Sequence, residues 1–269
     1  MTASHRNKVS ERKLIMPACK VEVKDYICTV TIDRPPANST NEATYKEIRD
    51  TFYALNERED IKVVILTAAG KIFMAGNDLD EFHNFASPET CPAYYDTILS
   101  AYLSVKNCRY PVIGAINGAA AGAGVGFAGC CDVLVAVEGA KFILSEIKVG
   151  IIGADGFASL MVPEKVLRYM AFSGNPLTAE QIAQFGGVHK VVPREKLMDE
   201  ARALADEFAQ NARRALILWK ECLNKNYERE LTFKFKNNLD ATMSYQPYND
   251  FVEASKAFIE KRPPNFDNK

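Results

Sequence analysis

The amino-acid sequence predicts an α/β fold in which buried strands alternate with amphipathic helices. Over the first two thirds of the chain, short segments rich in β-branched residues are followed by longer segments with apolar residues at helical spacing. Beyond Pro163 the strand pattern nearly disappears, whereas helical periodicity continues. The 269 residues, with 48% apolar and 25% charged side chains, suit one large globular domain or a main domain with an appendage.

The N-terminal part of the chain predicts a hairpin, a helix and a strand. Residues 21–23 and 27–32 alternate apolar and polar side chains, which is typical of two half-buried antiparallel strands. Residues 41–58 place apolar side chains at helical spacing, and residues 63–67 are a short β-branched run. Residues 1–16 are charged and lack the apolar run of a signal peptide, so we expect an exposed N-terminal arm.

The middle of the chain continues this alternation and then becomes helical. Residues 88–108 have a helical pattern, and residues 111–116 and 132–137 are apolar runs short enough for buried strands. Residues 178–185 begin with the capping-box pattern Thr-Ala-Glu-Gln and predict a short helix that stops at Gly186. Four further helices are predicted over residues 193–210, 212–227, 231–245 and 250–261.

Composition and charge exclude several classes of protein. The net charge of −1 and the isoelectric point of about 6.4 provide no global field that attracts nucleic acid or anionic lipid. The seven cysteines lack C-x-x-C spacing, and the three histidines are scattered, so we predict reduced thiols and no metal site. These features favour a cytoplasmic protein without a nucleic-acid or membrane partner.

Residues 112–131 form an uncharged stretch with glycine at every fourth position from 114 to 126. A membrane span is disfavoured because a helix over the whole stretch would lose about 1 kcal/mol per glycine relative to alanine and has no aromatic anchors. A dinucleotide-binding fingerprint is disfavoured because Gly124 lies too far beyond the preceding strand. Taken alone, the small residues could also let a helix pack closely on a neighbour, and this alternative stays open.

A second small-residue segment occurs upstream. Residues 71–79 (KIFMAGNDL) again place alanine and glycine directly after a strand and loop. Small side chains at such a position let backbone N–H groups approach a ligand closely. Two separated segments of this kind favour a binding site over packing alone.

At these residues the sequence resembles the crotonase (enoyl-CoA hydratase/isomerase) superfamily. Residues 73–79 resemble the family's first oxyanion segment, and residues 111–132 resemble its second. Residues 34–39 (RPPANS) are similar to its acyl-CoA loop, and residues 257–262 (AFIEKR) to its closing signature. The resemblance spans nearly the whole chain, from about residue 19 to 266.

This resemblance implies a crotonase-type spiral of β-β-α repeats over residues 17–195 and a C-terminal helical trimerisation region over residues 196–269. It also implies a homotrimer or homohexamer, and acyl-coenzyme A thioesters as substrates with no separate cofactor. By position, the backbone N–H groups of Ala75 and Ala123 would bind the thioester oxygen. Such donors stabilise the negative charge that develops when a proton is removed beside the thioester.

Glu146 is the predicted principal acid and base. Its neighbours Ile143, Leu144, Ile147 and Val149 are apolar, and their desolvation of the carboxylate would raise its pKa toward neutrality. Hydratases of the resembled family carry a second glutamate twenty residues earlier, where this chain has Gly126. The family's mitochondrial-type Δ3,Δ2-enoyl-CoA isomerases keep only the carboxylate that matches Glu146.

We therefore predict an enoyl-CoA isomerase. The alternatives are an enoyl-CoA hydratase or another crotonase-type hydrolase, lyase or decarboxylase on the same scaffold, and a non-catalytic acyl-CoA- or RNA-binding homologue. Asp155 is a second candidate catalytic acid, with a helix N-cap as the alternative role. The predicted coenzyme A contacts are Ala37, Ala75, Gly76, Asp78 and Lys261. Asp78 is also expected to cap a helix, and Lys261 either meets a phosphate or is simply solvated.

Overall fold

A computed structural model describes residues 18–225 and 228–266 of the chain, so the arm predicted at residues 1–16 lies outside the described residues. The described residues form ten strands and eleven α-helices. The strands are β1 (Cys19–Lys24), β2 (Ile27–Ile32), β3 (Val63–Ala68), β4 (Ile72–Met74), β5 (Val112–Ile116), β6 (Ala119–Ala121), β7 (Val133–Val137), β8 (Lys141–Ile143), β9 (Leu177–Thr178) and β10 (Lys190–Val192).

The helices occupy most of the segments that the sequence predicted. The helix that begins after Asn41 is capped by that side chain, which accepts a hydrogen bond from the Thr44 N–H, and the predicted capping box at Thr178 is confirmed. The eleven helices of the described residues are α1 (Glu42–Asn56), α2 (Phe82–Ala86), α3 (Cys91–Lys106), α4 (Ala123–Cys130), α5 (Asp155–Ala158), α6 (Glu164–Ser173), α7 (Ala179–Ala183), α8 (Leu197–Ala209), α9 (Arg213–Lys225), α10 (Glu228–Tyr245) and α11 (Asn249–Ile259).

Six strands form the larger sheet, in the spatial order β1-β2-β3-β5-β7-β10. The predicted hairpin of β1 and β2 is antiparallel, and every later pair in this sheet is parallel. All residues of β3 and β5 are buried. Such continuous burial is typical of parallel strands covered on both faces.

Four shorter strands form the second sheet, in the order β4-β6-β8-β9. β4, β6 and β8 follow directly on β3, β5 and β7, so the chain three times adds one strand to each sheet and then continues into helices. This winding is the predicted crotonase-type spiral of β-β-α repeats. The short strands themselves were not predicted, because two or three residues carry no readable periodicity.

The glycine-rich stretch is divided between β5, β6 and α4 rather than forming one helix. None of the helices within the described residues has the length and apolarity needed to cross a bilayer. Close packing explains part of the glycine pattern, because a β-carbon on Gly124 would lie 2.5 Å from the Met74 carbonyl oxygen. Close packing, one of the two explanations left open by the sequence, therefore applies to this stretch.

The helical region predicted for the C-terminus begins with α8, just after residue 195. α8 packs on β3, β5 and β7, whereas α10 packs on α3 and α5. α11 lies against the short 3₁₀-helix at residues 146–148. These helices thus fold back over the body of their own chain. The predicted role in trimer formation stays a prediction.

Candidate active site

A cleft of about 460 Å³ lies where the two small-residue segments meet. One wall comes from residues 37–39 and 75–80, and the opposite wall comes from Gly122, Ser145 and Glu146. Val149, Ile151 and Phe258 add apolar surface. The predicted contact residues Ala37, Ala75, Gly76 and Asp78 all line this cleft.

A cavity of about 560 Å³ on another face borders Lys106, Cys131 and His189. Although it is larger, the described residues place no unpaired buried carboxylate in it. The buried carboxylate oxygen without a partner belongs to Glu146, in the cleft. Size alone therefore does not identify the chemical site.

The first wall is held by a short parallel bridge between Thr40 and Asn77. The Thr40 N–H donates to the Gly76 carbonyl and the Asp78 N–H donates to the Thr40 carbonyl, each at 2.8 Å. Gly76 has a φ of +99°, which glycine adopts without a steric penalty. The bridge fixes the acyl-CoA loop predicted at residues 34–39 beside the first oxyanion segment.

The structure corrects the predicted oxyanion role of Ala75. Its N–H donates to the Ala37 carbonyl at 3.1 Å and is therefore already committed within the wall. In a parallel bridge, one of the two paired residues makes both hydrogen bonds, and the other turns its own N–H away from the partner strand. Here Thr40 makes both bonds, and the N–H of Asn77 has no acceptor among the described residues. Asn77 replaces Ala75 as the candidate donor of this segment.

The second candidate donor is Ala123, as the sequence predicted. β6 ends at Ala121, and the next residue, Gly122, donates its N–H to the Ile143 carbonyl at 2.9 Å and caps α4, which begins at Ala123. The first N–H groups of a helix have no intrahelical acceptor, and the Ala123 N–H has none elsewhere in the described chain. This nitrogen lies 3.9 Å from the place of a β-carbon on Gly76, so the two segments are in contact.

Glu146 lines the same cleft as Asn77 and lies against Gly122, the residue before Ala123. It opens the 3₁₀-helix that follows β8, and its Oε1 lies 3.2 Å from the place of a β-carbon on Gly122. The other oxygen, Oε2, is buried and has no hydrogen-bond partner in the described residues. Burial, assisted by the negative charge of Asp155, raises the pKa of Glu146 to about 8. A carboxyl with such a pKa can both take and release a proton near neutral pH.

Asp155 lies close to Glu146 but does not have the helix-capping role that was its predicted alternative. It is the first residue of α5, and the preceding Ala154, with a φ of +61°, occupies the N-cap position. The Asp155 carboxylate instead accepts a hydrogen bond at 2.6 Å from the side-chain N–H of Asn238 in α10. With Glu146 it borders a second, mostly apolar cavity of about 240 Å³, which is also lined by Leu144, Ile147, Ile151, Ile152, Gly153, Ala171 and Phe172.

Comparison with known proteins agrees with the spiral fold. Residues 22–269 match the family model described as Enoyl-CoA hydratase/isomerase. The chain belongs to the crotonase superfamily. It is accordingly an enzyme of crotonase type that acts on acyl-CoA thioesters.

Individual relatives span nearly the same length. The chain is 35% identical over 243 residues to a (7aS)-7a-methyl-1,5-dioxo-2,3,5,6,7,7a-hexahydro-1H-indene-carboxyl-CoA hydrolase of Rhodococcus jostii, covering 86% of this chain and 93% of the relative. It is 30% identical to a carnitinyl-CoA dehydratase of Escherichia coli, covering 88% and 94% of the two chains. The crystal structure of an enoyl-CoA hydratase from Mycobacterium avium subsp. paratuberculosis superposes with a TM-score of 0.82 at 25% identity, covering 93% and 99%.

The predicted contacts at the ends of this crotonase cleft have different outcomes. The side chain of Asp78 accepts from the Asp80 N–H, as expected for a cap, and also forms an ion pair of 2.5 Å with Arg34. Lys261 follows α11 with an exposed side chain and a φ of +54°, and it does not line the described cleft. Phe258, one turn earlier, lines the cleft instead.

Three buried tyrosines near Glu146 were not predicted as part of the crotonase site. The Tyr45 hydroxyl donates to the Asn77 side chain and accepts from Thr40 at 2.9 Å. The Tyr95 hydroxyl donates to the Ile152 carbonyl at 2.7 Å. Burial is the main reason why the pKa values of Tyr45, Tyr95 and Tyr102 are raised. The negative charge of Glu146 raises them further. In the sequence, these tyrosines look like the ordinary apolar positions of α1 and α3.

Proposed function

We propose that this crotonase catalyses Δ3,Δ2-enoyl-CoA isomerisation with Glu146 as the single proton carrier. The observation that carries the proposal is one desolvated carboxyl, with a pKa of about 8, opposite unpaired backbone N–H groups. Position 126, where the hydratase pattern has a second glutamate, is a glycine. The site thus has the groups for moving one proton but lacks the second carboxylate that water addition uses.

The proposed reaction moves one proton and one double bond. Glu146 removes a proton from C2 of a 3-enoyl thioester, and the electrons delocalise through the C3–C4 double bond and the carbonyl into a dienolate. The oxygen of that dienolate carries the negative charge, which the N–H groups of Asn77 and Ala123 would stabilise. The protonated Glu146 then returns the proton to C4, which gives the 2-enoyl thioester and regenerates the carboxylate.

A second candidate function is a reaction that uses water, namely hydration or hydrolysis. Two observations favour it: the relatives named as a hydrolase and a dehydratase, and the position of Asp155 beside Glu146 on the same apolar cavity. In this reaction Glu146 would activate the water. Asp155 is already engaged by Asn238, which leaves it less able to take over a second proton transfer.

A panel of 3-enoyl, 2-enoyl and 3-hydroxyacyl thioesters of coenzyme A in deuterium oxide separates the two functions. Isomerisation predicts conversion of 3-enoyl to 2-enoyl thioester, with deuterium found by NMR and mass at C4 of part of the product. It also predicts little 3-hydroxyacyl product. Faster formation of 3-hydroxyacyl-CoA from the 2-enoyl thioester, or cleavage to a free acid, would instead establish the second candidate.

A further inference from the structure

Gly126 lies directly against the tip of Tyr102. A β-carbon on Gly126 would stand 2.5 Å from the Tyr102 hydroxyl oxygen and 2.7 Å from its ring carbon Cε1. Non-bonded atoms do not approach so closely, so the tyrosine already fills the volume that a side chain at position 126 would occupy. The absence of a second carboxylate is therefore coupled to a residue on a different helix, α3.

Tyr102 cannot easily move aside, because aromatic rings enclose it. Its ring centroid lies 4.8 Å from Phe127 and from Phe157, 5.9 Å from Phe235 and 6.4 Å from Tyr45. Three of these contacts are edge-to-face, and the side chain is almost completely buried. A core packed at crystal-like density transmits a displaced ring to its neighbours.

The filled volume lies one helical turn from the candidate active site. Gly126 lies one helical turn beyond Gly122, on the same side of α4, and Gly122 abuts the Glu146 carboxylate. The pKa of Tyr102 is raised well above its usual value. Burial is the largest cause, followed by the neighbouring Tyr45 and the negative charge of Glu146. The hydroxyl therefore stays neutral at physiological pH and cannot act as a base.

We propose that Tyr102 is a specificity-determining residue, whose neutral hydroxyl replaces the second carboxylate at position 126 and directs the site away from water addition. The proposal rests on the proposed isomerase function. With one carboxylate, Glu146 can relay a proton between two carbons of the substrate. Adding water needs a second group that holds and deprotonates that water while Glu146 protonates carbon, and a phenol of raised pKa does not ionise for this purpose.

The contact itself is tested by a double-mutant cycle on thermal stability. Gly126→Ala should lower the Tm in the wild-type background, and the loss should be much smaller in a Tyr102→Leu background, where the tip of the ring is gone. Gly124→Ala is the matched control, because its β-carbon would meet the Met74 backbone, which Tyr102→Leu does not move. Should Tyr102→Leu be too unstable to purify, an unchanged Tm of Gly126→Ala alone would overturn the proposed contact.

The effect on specificity is tested with the variant that combines Tyr102→Leu with Gly126→Glu. It should form 3-hydroxyacyl-CoA from 2-enoyl-CoA about tenfold faster or more than Tyr102→Leu alone, since a second general acid–base group typically contributes 10² to 10⁴. Equal hydration by both variants would overturn the proposal, and so would strong hydration by Gly126→Glu with Tyr102 in place. Failure of the wild type to convert 3-enoyl-CoA into 2-enoyl-CoA would refute the isomerase function alone, because the stability cycle does not depend on the reaction.

Discussion

The Oε1 atom of Glu146 lies 3.2 Å from the place that a β-carbon on Gly122 would occupy. Gly122 also has a φ of +49° and a ψ of −112°, a backbone conformation that residues other than glycine rarely adopt. The start of α4 and the Glu146 carboxylate therefore share a space that glycine leaves open. Any side chain at position 122 must displace one of them.

Gly122→Ala should consequently impair both folding and catalysis. Backbone strain of this kind costs about 1 to 3 kcal/mol, and a displaced base should lower kcat by about tenfold or more. Gly186→Ala is a suitable control, because Gly186 also has a positive φ, of +81°, but nothing lies within 4 Å of its β-carbon position. Equal losses of kcat in the two variants, measured at a temperature where both are folded, would contradict the proposed crowding.

Glu146→Gln should lower turnover by about 10² to 10⁴ while acyl-CoA binding persists, because the amide keeps the shape but cannot accept the proton. Isothermal titration with a non-reactive acyl-CoA measures the binding separately. Asp155→Asn is the comparison, since it keeps a carbonyl oxygen that can accept the Asn238 hydrogen bond. If Asp155→Asn loses more activity than Glu146→Gln, the principal acid and base is Asp155.

The pH dependence of kcat/KM should report the pKa of Glu146 in the free enzyme. Because the carboxylate is the base, activity should rise about tenfold per pH unit below pH 8 and level off above it. The residual activity of Glu146→Gln should lack this inflection. A profile that is already flat at pH 6 would mean that the functional base has an ordinary carboxyl pKa.

The raised pKa also has a consequence for stability. Between the ordinary carboxyl pKa of 4.5 and about 8, folded Glu146 keeps a proton that the unfolded chain has released, so the free energy of unfolding falls as the pH rises through this window. Glu146→Gln removes the ionisation and should be more stable than wild type by about 1 to 3 kcal/mol above pH 8, after allowing for water in the cleft. The difference should shrink toward acidic pH.

Denaturant titrations at about pH 5 and about pH 9 measure this difference. Glu164→Gln controls for the loss of a carboxylate at an exposed site, where Glu164 pairs with Arg168 across one helical turn. The linkage would be absent if Glu146→Gln showed the same stability relative to wild type at both pH values.

Arg34 should matter for substrate affinity more than for the chemical step. Its guanidinium donates to the Ser39 carbonyl at 2.9 Å and pairs with Asp78 at 2.5 Å, which ties the acyl-CoA loop to the first oxyanion segment. Lysine lacks the planar guanidinium with which Arg34 makes both contacts at once. In Arg34→Lys we therefore expect KM to rise by about tenfold, with a smaller effect on kcat. Arg168→Lys, at an exposed pair, should leave both constants within error. A loss confined to kcat in Arg34→Lys would contradict a role in loop placement.

The spacing of apolar residues predicted most of the longer strands and helices, because these are long enough to show a period. The boundaries of α1 and α7 were also readable, since Asn41 and Thr178 bind the first N–H groups of their helices. β4, β6 and β8 could not be read, although they place the site, because each has only three residues.

The errors at the site have a related cause. Small side chains indicate where a backbone can approach a ligand, but the free N–H depends on partners far away in the sequence. Ala37 takes the N–H of Ala75, and only the bridge to Thr40 turns Asn77 outward. Likewise, periodicity marks Tyr102 as a core residue but does not show that its tip reaches Gly126.

α10 and α11, the last helices of the described chain, complete the surroundings of the proposed active site. The strands that position Glu146 and both candidate donors lie before residue 150, so they leave the ribosome well before Asn238, Thr242 and Phe258. Until those residues arrive, Asp155 lacks its amide partner, Tyr95 lacks the Thr242 hydroxyl, and the wall at Phe258 is missing. Until those helices are in place, we expect water to reach the Glu146 carboxylate and its pKa to stay near that of an ordinary glutamate. The last helices to be synthesised would then be what gives the proposed base its raised pKa.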